Sequence, residues 1–386
     1  MKNKHLRAVS TALAFLIIFV FGSAARAADK WDPQRTWVFF VGLVTWKDAD
    51  EFESFPAGIR KDDDFLESIR RHGVPSDHIS FLQDSRATTA VVQTRFAEFL
   101  KRGQPGDWVI VYFEGHGYKD DDDVPYLATY DVTGKIKGWR FSAIPAAIEK
   151  NFRGSHAMIA LDNCYAGAMV DAINSTRRDH AYAVMASSMA SQESTQNWTF
   201  TEALINGFNG ESFVDANHDG SVTLRETAKN AEQDMLFGEE QVATTAFLNG
   251  FDPDTVIATA KPFTSARIGE RVEASSENDW YRGYVAETKN NKFKIHYYGF
   301  ETDEEEWVTP KMMRVPVSNS PYKIGEKVEV EYRRKWYPAH VLNIKGGSHY
   351  VSYDDYDVDD NEWVPTKRIR KIKQSTATAD RPFSRP

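Results

Sequence analysis

Six short apolar runs between residues 37 and 260 constrain the fold more than any other feature of the chain. Each run is rich in β-branched or aromatic residues, which favours strands, and stretches with helical periodicity fill most of the gaps. Strands that alternate with helices are typical of an α/β fold, with a mostly parallel sheet and helices on both faces. The predicted strands are residues 37–44, 79–82, 108–113, 157–161, 182–186 and 242–249.

Three helices are predicted from apolar residues that recur on one helical face. The faces are Ile59, Phe65, Leu66 and Ile69 for the first, Val91, Val92, Phe96, Phe99 and Leu100 for the second, and Ile144, Ala147 and Ile148 for the third.

A sequence repeat follows this α/β region. Ile268-Gly269-Glu270 recurs as Ile324-Gly325-Glu326, an offset of 56 residues, and the same offset relates two Trp-Tyr pairs and two Glu-Trp-Val triplets. Each copy consists of short aromatic-rich strands with one central turn, Asn290-Asn291 or Gly346-Gly347. We therefore predict two small all-β barrels, at residues 267–315 and 322–372, and an unfolded polar tail at residues 373–386.

The N-terminus is typical of a secretory signal peptide. Cations precede a short apolar core, and the segment ends in Ala25-Arg26-Ala27, a small-x-small cleavage pattern. We predict that residues 1–27 are removed on export, to the periplasm or the medium, and that residues 28–260 form the first folded domain. No later segment approaches the ~20 apolar residues that span a bilayer, so no stable membrane insertion is expected.

Charge argues against nucleic acid as a partner. Removal of residues 1–27 takes away four cations and no anion, so 47 Lys and Arg become 43 against 56 Asp and Glu, a net charge of −13. A chain this acidic is repelled by nucleic acids and anionic membranes.

A lone cysteine and a glycine-flanked histidine indicate nucleophilic chemistry. Exported proteins usually pair their thiols, yet Cys164 has no partner in the chain. His116 directly follows the third predicted strand and Cys164 the fourth, so both leave the same edge of a parallel sheet. An imidazole beside a thiol can take its proton and later protonate a leaving amine. The backbone N–H groups of Gly117 and Cys164 are candidates for an oxyanion hole.

The sequence around these residues resembles the caspase and metacaspase-like cysteine peptidases. The resemblance rests on Tyr-Phe-Glu-Gly-His-Gly at residues 112–117 and Asp-Asn-Cys-Tyr-Ala-Gly at residues 162–167, and it spans roughly residues 36–260. It implies a Cys164–His116 dyad acting on protein or peptide substrates. It also implies that Asp162 receives a basic side chain at P1, the residue before the cleaved bond, although Asp162 could instead cap the following helix. Glu114 departs from the family, which more often has Ser there.

A twelve-residue segment, 215–226, matches the EF-hand calcium loop at every key position. We expect calcium as a cofactor, structural or regulatory, bound with modest affinity because only one such loop is visible. The expected ligands are Asp215, Asn217, Asp219, Ser221, Thr223 and Glu226.

The two repeats resemble Tudor or agenet-type barrels. That resemblance implies aromatic cages for a cationic side chain, with Tyr298, Phe300 and Trp307 as candidates in the first copy and Tyr356 and Trp363 in the second. The same aromatic residues could instead fill the cores of two very small barrels. An exported protein would use such barrels to bind a peptide or a cell-surface polymer.

Two functions are consistent with the sequence. The first is an exported, calcium-stabilised or calcium-activated cysteine endopeptidase that cleaves after basic residues and whose barrels select or hold the target. The alternative is a catalytically silent calcium-binding scaffold or binding protein. Retention of both Cys164 and His116 favours the enzyme.

Overall fold

A computed structural model gives the structure of residues 30–56, 58, 60–315, 321–332, 335–345, 348–354, 356 and 361–372. The predicted signal peptide, most of the linker between the repeats, the Gly346-Gly347 turn and the polar tail lie outside these described residues, as does Ile59 of the first helical face.

The first part of the chain, up to residue 260, alternates strands and helices. Its elements in chain order are β1 (Thr36–Gly42), α1 (Asp62–Arg70), β2 (Ile79–Gln83), α2 (Thr89–Leu100), β3 (Trp108–Glu114), β4 (Gly117–Lys119), β5 (Pro125–Leu127), β6 (Trp139–Arg140), α3 (Ala143–Asn151), β7 (His156–Asp162), α4 (Ala168–Asn174), β8 (Ala181–Ala186), α5 (Thr199–Phe208), β9 (Ser221–Thr223), α6 (Leu224–Gly238), β10 (Thr244–Leu248) and β11 (Val256–Thr259).

Six of these strands form the central sheet, in the order β10-β8-β7-β3-β1-β2. All neighbours pair in parallel except β10, which pairs antiparallel with β8. The predicted α/β class is confirmed, and each predicted strand coincides with an observed one to within two residues at either end. The short strands β4 to β6, β9 and β11 were not predicted.

Helices cover both faces of this sheet because its strands are apolar on both sides. Phe39 and Val41 of β1 enter a core with α2, α3 and α4, whereas Val38 and Phe40 enter a second core with α1, α5 and α6. The predicted helical faces are buried in these cores, except that Val91 is exposed at the surface of α2.

The carboxyl ends of β3 and β7 lie side by side in the middle of the sheet. Their last residues, Glu114 and Asp162, are register partners. His116 and Cys164 each follow two residues later, so the topology brings both reactive side chains to one edge of the sheet.

The two repeats form two antiparallel sheets of five strands each. The strands are β12 (Arg271–Ser276), β13 (Asp279–Lys289), β14 (Lys292–Tyr297), β15 (Glu306–Val308) and β16 (Met313–Arg314) in the first, and β17 (Lys327–Tyr332), β18 (Lys335–Lys345), β19 (Ser348–Tyr353), β20 (Glu362–Pro365) and β21 (Ile369–Lys371) in the second. Their orders, β15-β14-β13-β12-β16 and β20-β19-β18-β17-β21, are equivalent. Each sheet curls around its own small core of buried side chains.

The first repeat packs on the α/β domain through buried polar contacts. Asp234 of α6 accepts hydrogen bonds from Arg271 Nε at 2.8 Å and from the Tyr298 hydroxyl at 2.6 Å. His296 lies between Glu202 of α5 and Glu305 of its own repeat, 3.1 Å from an oxygen of each. Among the described residues, no helix is long and apolar enough to cross a membrane.

Candidate active site

His116 lies in an aromatic surround beyond the end of β3. Its ring centroid is 4.5 Å from those of Trp46 and Phe55 and 5.5 Å from that of Phe52. Its Nε2 atom is 2.8 Å from the carbonyl oxygen of Glu53. Burial lowers the pKa of His116, although the Glu53 carbonyl opposes this, so the imidazole is neutral near pH 7.

The Glu53 contact determines the tautomer of this neutral ring. A carbonyl oxygen only accepts hydrogen bonds, so Nε2 carries the proton and donates it to Glu53. Nδ1 is then the unprotonated nitrogen that can accept a proton from a nucleophile. The backbone of Glu53 therefore fixes the orientation of the His116 ring.

Cys164 lies in the turn that follows β7. Its Sγ atom accepts a hydrogen bond from the backbone N–H of Ser194 at 3.2 Å. Burial raises the pKa of the thiol, and the backbone N–H groups of Ser194 and Gly117 partly offset this. A Cβ atom on Gly117 would lie 2.2 Å from the Cys164 carbonyl oxygen, so only glycine fits this close approach.

Both reactive side chains line one cavity of about 310 Å³. Within the described part of the chain, the imidazole and the thiol make no hydrogen bond to each other, and their pKa values have moved toward the neutral forms. The cavity therefore holds an imidazole and a thiol whose neutral forms are both favoured.

Asp162 lines the same cavity as Cys164. The Thr201 hydroxyl of α5 donates to its Oδ2 atom at 2.7 Å, and the Tyr112 hydroxyl lies 2.8 Å from that of Thr201. Burial raises the pKa of Asp162 to about 6, against the opposing effect of its hydrogen bonds. The carboxyl group is held by α5, which contrasts with the alternative that it caps α4.

The predicted calcium loop joins α5 to α6. Gly220 has a φ of +86°, as the sharp turn of such a loop requires, and β9 pairs antiparallel with β11. Asp215 accepts from the backbone N–H of Asp219 at 3.2 Å and of Gly220 at 2.9 Å. Glu226 reaches across the loop to the N–H of Ala216 at 3.1 Å.

The loop supplies oxygen donors of the kind calcium prefers, from Asp215, Asn217, Asp219, Ser221, Thr223 and Glu226. Glu226 also closes a capping box with Thr223 at the start of α6. In the part of the chain that is described, no three acidic, His or Cys side chains converge on one point. Calcium binding would thus require Glu226 to exchange these backbone contacts for the ion.

Among the described residues, the barrel candidates do not all come together, although Phe300 and Tyr356 each join an aromatic cluster. Tyr298 is buried against α6 through its bond to Asp234, so it faces the α/β domain. Phe300 and Trp307 are partly exposed in the first repeat, as Tyr356 is in the second. Trp363 packs on Tyr350 at a centroid distance of 5.3 Å.

An aromatic trio occurs in each repeat, and each trio contains one predicted candidate, Phe300 in the first and Tyr356 in the second. Its three ring pairs are Tyr281–Tyr297 at 5.9 Å, Tyr281–Phe300 at 5.7 Å and Tyr297–Phe300 at 6.2 Å in the first repeat, and Tyr337–Tyr353 at 6.3 Å, Tyr337–Tyr356 at 5.9 Å and Tyr353–Tyr356 at 5.9 Å in the second. A glutamate accepts from the middle tyrosine in each, Glu306 from Tyr297 at 3.0 Å and Glu362 from Tyr353 at 2.5 Å. The 56-residue offset relates every member, a signal already present in the sequence.

The C-terminal repeats match a known domain family. Residues 269–318 and 325–374 each match the family model of the Agenet domain. The predicted Tudor or agenet resemblance is thereby confirmed for these repeats, whereas the resemblance of residues 36–260 to caspase-like peptidases stays a prediction. A search of curated proteins finds no match to the chain.

Part of the chain is similar to solved structures. The crystal structure of protein GSU0716 from Geobacter sulfurreducens, a Northeast Structural Genomics target, aligns with 59% of this chain and 100% of its own length, at 12% identity and a TM-score of 0.39.

Proposed function

We propose that the protein is an exported cysteine endopeptidase that cleaves after basic residues. The observation that carries the proposal is the shared cavity, in which the thiol of Cys164, the oriented imidazole of His116 and the buried carboxyl group of Asp162 meet at the ends of β3 and β7. A nucleophile, a base with a defined tautomer and a binding group for a cation are the parts this reaction needs.

The chemistry follows from the tautomer of His116. The sulfur of Cys164 attacks the substrate carbonyl carbon as its proton moves to Nδ1, and the N–H groups of Gly117 and Cys164 stabilise the oxyanion. The imidazolium then protonates the amine as the carbon–nitrogen bond breaks, which leaves a thioester. Water, deprotonated by the imidazole, hydrolyses the thioester and returns the thiol.

The two agenet repeats hold the substrate in this proposal. Glu331, Tyr332 and Arg368 of the second repeat line a cavity of about 420 Å³. This cavity shares residues 193–195 with the cavity that contains Cys164. A peptide with one side chain over Asp162 would therefore continue along the second repeat.

Calcium stabilises the peptidase in this proposal. The loop at residues 215–226 connects α5, whose Thr201 holds Asp162, to α6, on which the first repeat packs. An ion in the loop would brace both helices. Calcium would then act on stability and on the pocket, with no part in bond cleavage.

The test is hydrolysis of peptides that differ only at P1. The full-length protein without its signal segment should cleave after Arg and Lys, and not after Asp or Asn, in calcium. Cys164→Ala should abolish cleavage, and Cys164→Ser should leave a trace at most. If the protein is folded but cleaves none of these peptides, the result would instead indicate a catalytically silent scaffold.

A further inference from the structure

A second carboxyl group lies beside Asp162 at the floor of the cavity. Glu114 ends β3 as Asp162 ends β7, and the two residues are register partners in adjacent parallel strands. Strands of one sheet lie about 4.8 Å apart, and register partners point to the same face. Both residues line the cavity with Cys164, and their exposed fractions are only 6% and 8%.

The two carboxyl groups differ in their hydrogen bonds. Asp162 accepts from Thr201, whereas the Oε2 atom of Glu114 is buried with no hydrogen-bond partner among the described residues. A buried polar atom without a hydrogen-bond partner destabilises the folded state. Such an atom, facing a cavity beside a nucleophile, indicates that its partner is a ligand.

The charges around Glu114 are mostly negative. Asp62 at the start of α1, Asp84 after β2 and Asp162 on β7 disfavour a negative charge on Glu114, and the cation of Arg60 opposes them. Arg60 is already paired, at 2.6 Å from Asp62 and 2.8 Å from Asp84. The buried hydroxyl of Tyr112 also faces both Glu114 and Asp162.

Further groups act on Asp162 from the other side. The hydroxyl groups of Thr201 on α5 and Ser187 after β8 favour its ionised form, and Glu239 after α6 disfavours it. Burial, followed by Asp62 and Asp162, raises the pKa of Glu114 well above its usual range, whereas that of Asp162 is about 6. Burial and the surrounding carboxylates both disfavour a negative charge on Glu114, so Glu114 is the member of the pair that holds a proton more readily.

We propose that Glu114 and Asp162 together bind a guanidinium group in preference to an ammonium group, and that Glu114 releases its proton when the group binds. A guanidinium presents a planar fork of N–H donors that can reach two acceptors at once. An ammonium is a point charge and gains less from the second carboxylate. The inference rests on the proposed function only in taking this cavity as the substrate pocket.

Binding can be measured without catalysis. The Cys164→Ala protein is titrated by calorimetry at pH 7 with Nα-acetylarginine methylamide, and with its lysine and citrulline analogues, in two buffers of different ionisation enthalpy. The arginine ligand should bind at least about tenfold more tightly than the lysine ligand and release close to one proton, and citrulline should not bind. When Glu114→Gln is introduced into the Cys164→Ala protein, binding of the arginine ligand should weaken by about 10- to 100-fold and the proton release should disappear.

Three further variants complete the test. Asp162→Asn should weaken the binding of both the arginine and the lysine ligand. Glu98→Gln, on the exposed face of α2, should leave the binding of both ligands unchanged. Glu114→Asp keeps a titratable carboxyl group and should still release a proton, which covers the case in which Glu114→Gln does not fold.

The results separate this inference from the proposed function. Unchanged affinity and proton release in Glu114→Gln would overturn the role of Glu114, even if the enzyme cleaves after arginine. If the protein binds a guanidinium group with proton release but cleaves no peptide, the binding role of Glu114 and Asp162 would be supported and the peptidase function rejected.

Discussion

The Nε2 atom of His116 donates to the carbonyl oxygen of Glu53 at 2.8 Å, and this contact leaves Nδ1 as the base. The sequence predicts an imidazole that stabilises a thiolate. The structure differs, because burial raises the pKa of Cys164 and lowers that of His116. In the proposed mechanism, the dyad is therefore a general-base pair that becomes charged during attack.

A neutral thiol should react slowly with iodoacetamide. Because its pKa is raised, the alkylation rate of Cys164 at pH 7 should lie below that of free cysteine and rise about tenfold per pH unit up to that pKa. His116→Ala should hardly change this rate but should lower peptide hydrolysis by about 10²- to 10⁴-fold. A fast, pH-independent alkylation that His116→Ala abolishes would reveal an ion pair instead.

Calcium should stabilise the folded protein. With a dissociation constant of about 0.1–1 mM, 10 mM calcium stabilises the folded state by about 1.4–2.7 kcal/mol. Thermal unfolding in calcium and in chelator measures the gain. Glu226→Gln should remove it, and Glu232→Gln, on the same helix but outside the loop, should keep it. Equal melting temperatures with and without calcium in the unmodified protein would exclude the site.

The contact between the first repeat and the α/β domain should weaken at high pH. Burial opposes the charge on His296, but hydrogen bonds to Glu202 and Glu305 raise its pKa from 6.5 to about 9. Because the folded-state pKa is raised, the stabilisation is complete below about pH 6.5 and is lost as the pH rises through about 9. The free energy of unfolding in urea should fall between pH 6 and pH 9.5. This fall should be larger in the unmodified protein than in His296→Gln by on the order of 1–3 kcal/mol. Parallel pH curves for the two proteins would show that this histidine is not charged.

The sequence predicts the fold better than it predicts the contacts of the site. Strand positions follow from local apolar runs, and parallel order alone places His116 and Cys164 at one edge, so both could be predicted. Thr201 and Glu53 could not, because their contacts depend on how α5 and the loop after β1 fold back over that edge. Tyr298 fits the aromatic pattern of a cage, but Asp234 of another domain binds its hydroxyl group.

The aromatic trios should bind a methylated ammonium group. A cation at the face of an aromatic ring gains about 0.5–2 kcal/mol, so Tyr281→Ala and Tyr337→Ala should each weaken one of two sites for a trimethyllysine peptide by about 3- to 30-fold. Trp307→Ala, which removes an exposed ring outside the trio, is the matched control. Calorimetric titration of the full chain measures the peptide affinity of both sites. If only Trp307→Ala weakens peptide binding, the aromatic trios are not the binding sites.

Self-cleavage should occur after Arg177, in the loop between α4 and β8. The side chain of Arg177 is 88% exposed, whereas that of Arg178 donates to Asn174 at 2.8 Å. Asn249 also donates to the carbonyl oxygen of Arg178 at 3.4 Å, so the bond after Arg178 is held in place while the bond after Arg177 is more accessible. Arg177 forms only an exposed ion pair with Asp179, at 3.5 Å, and such a pair contributes little in water. The side chain of Arg177 can therefore enter a pocket that contains a carboxylate and gain charge-assisted hydrogen bonds there.

Incubation of the purified protein in calcium, followed by N-terminal sequencing of the fragments, measures this cleavage. The expected new N-terminus is Arg178, absent from Cys164→Ala and from Arg177→Gln, and still present in Arg178→Gln. Asp162→Asn should slow its appearance by about 10-fold or more, because the arginine loses a charged partner. Since Cys164→Ala contains an intact loop, fragments in that variant would identify a foreign protease, and a cut after Arg178 would show that the loop opens before it is cleaved.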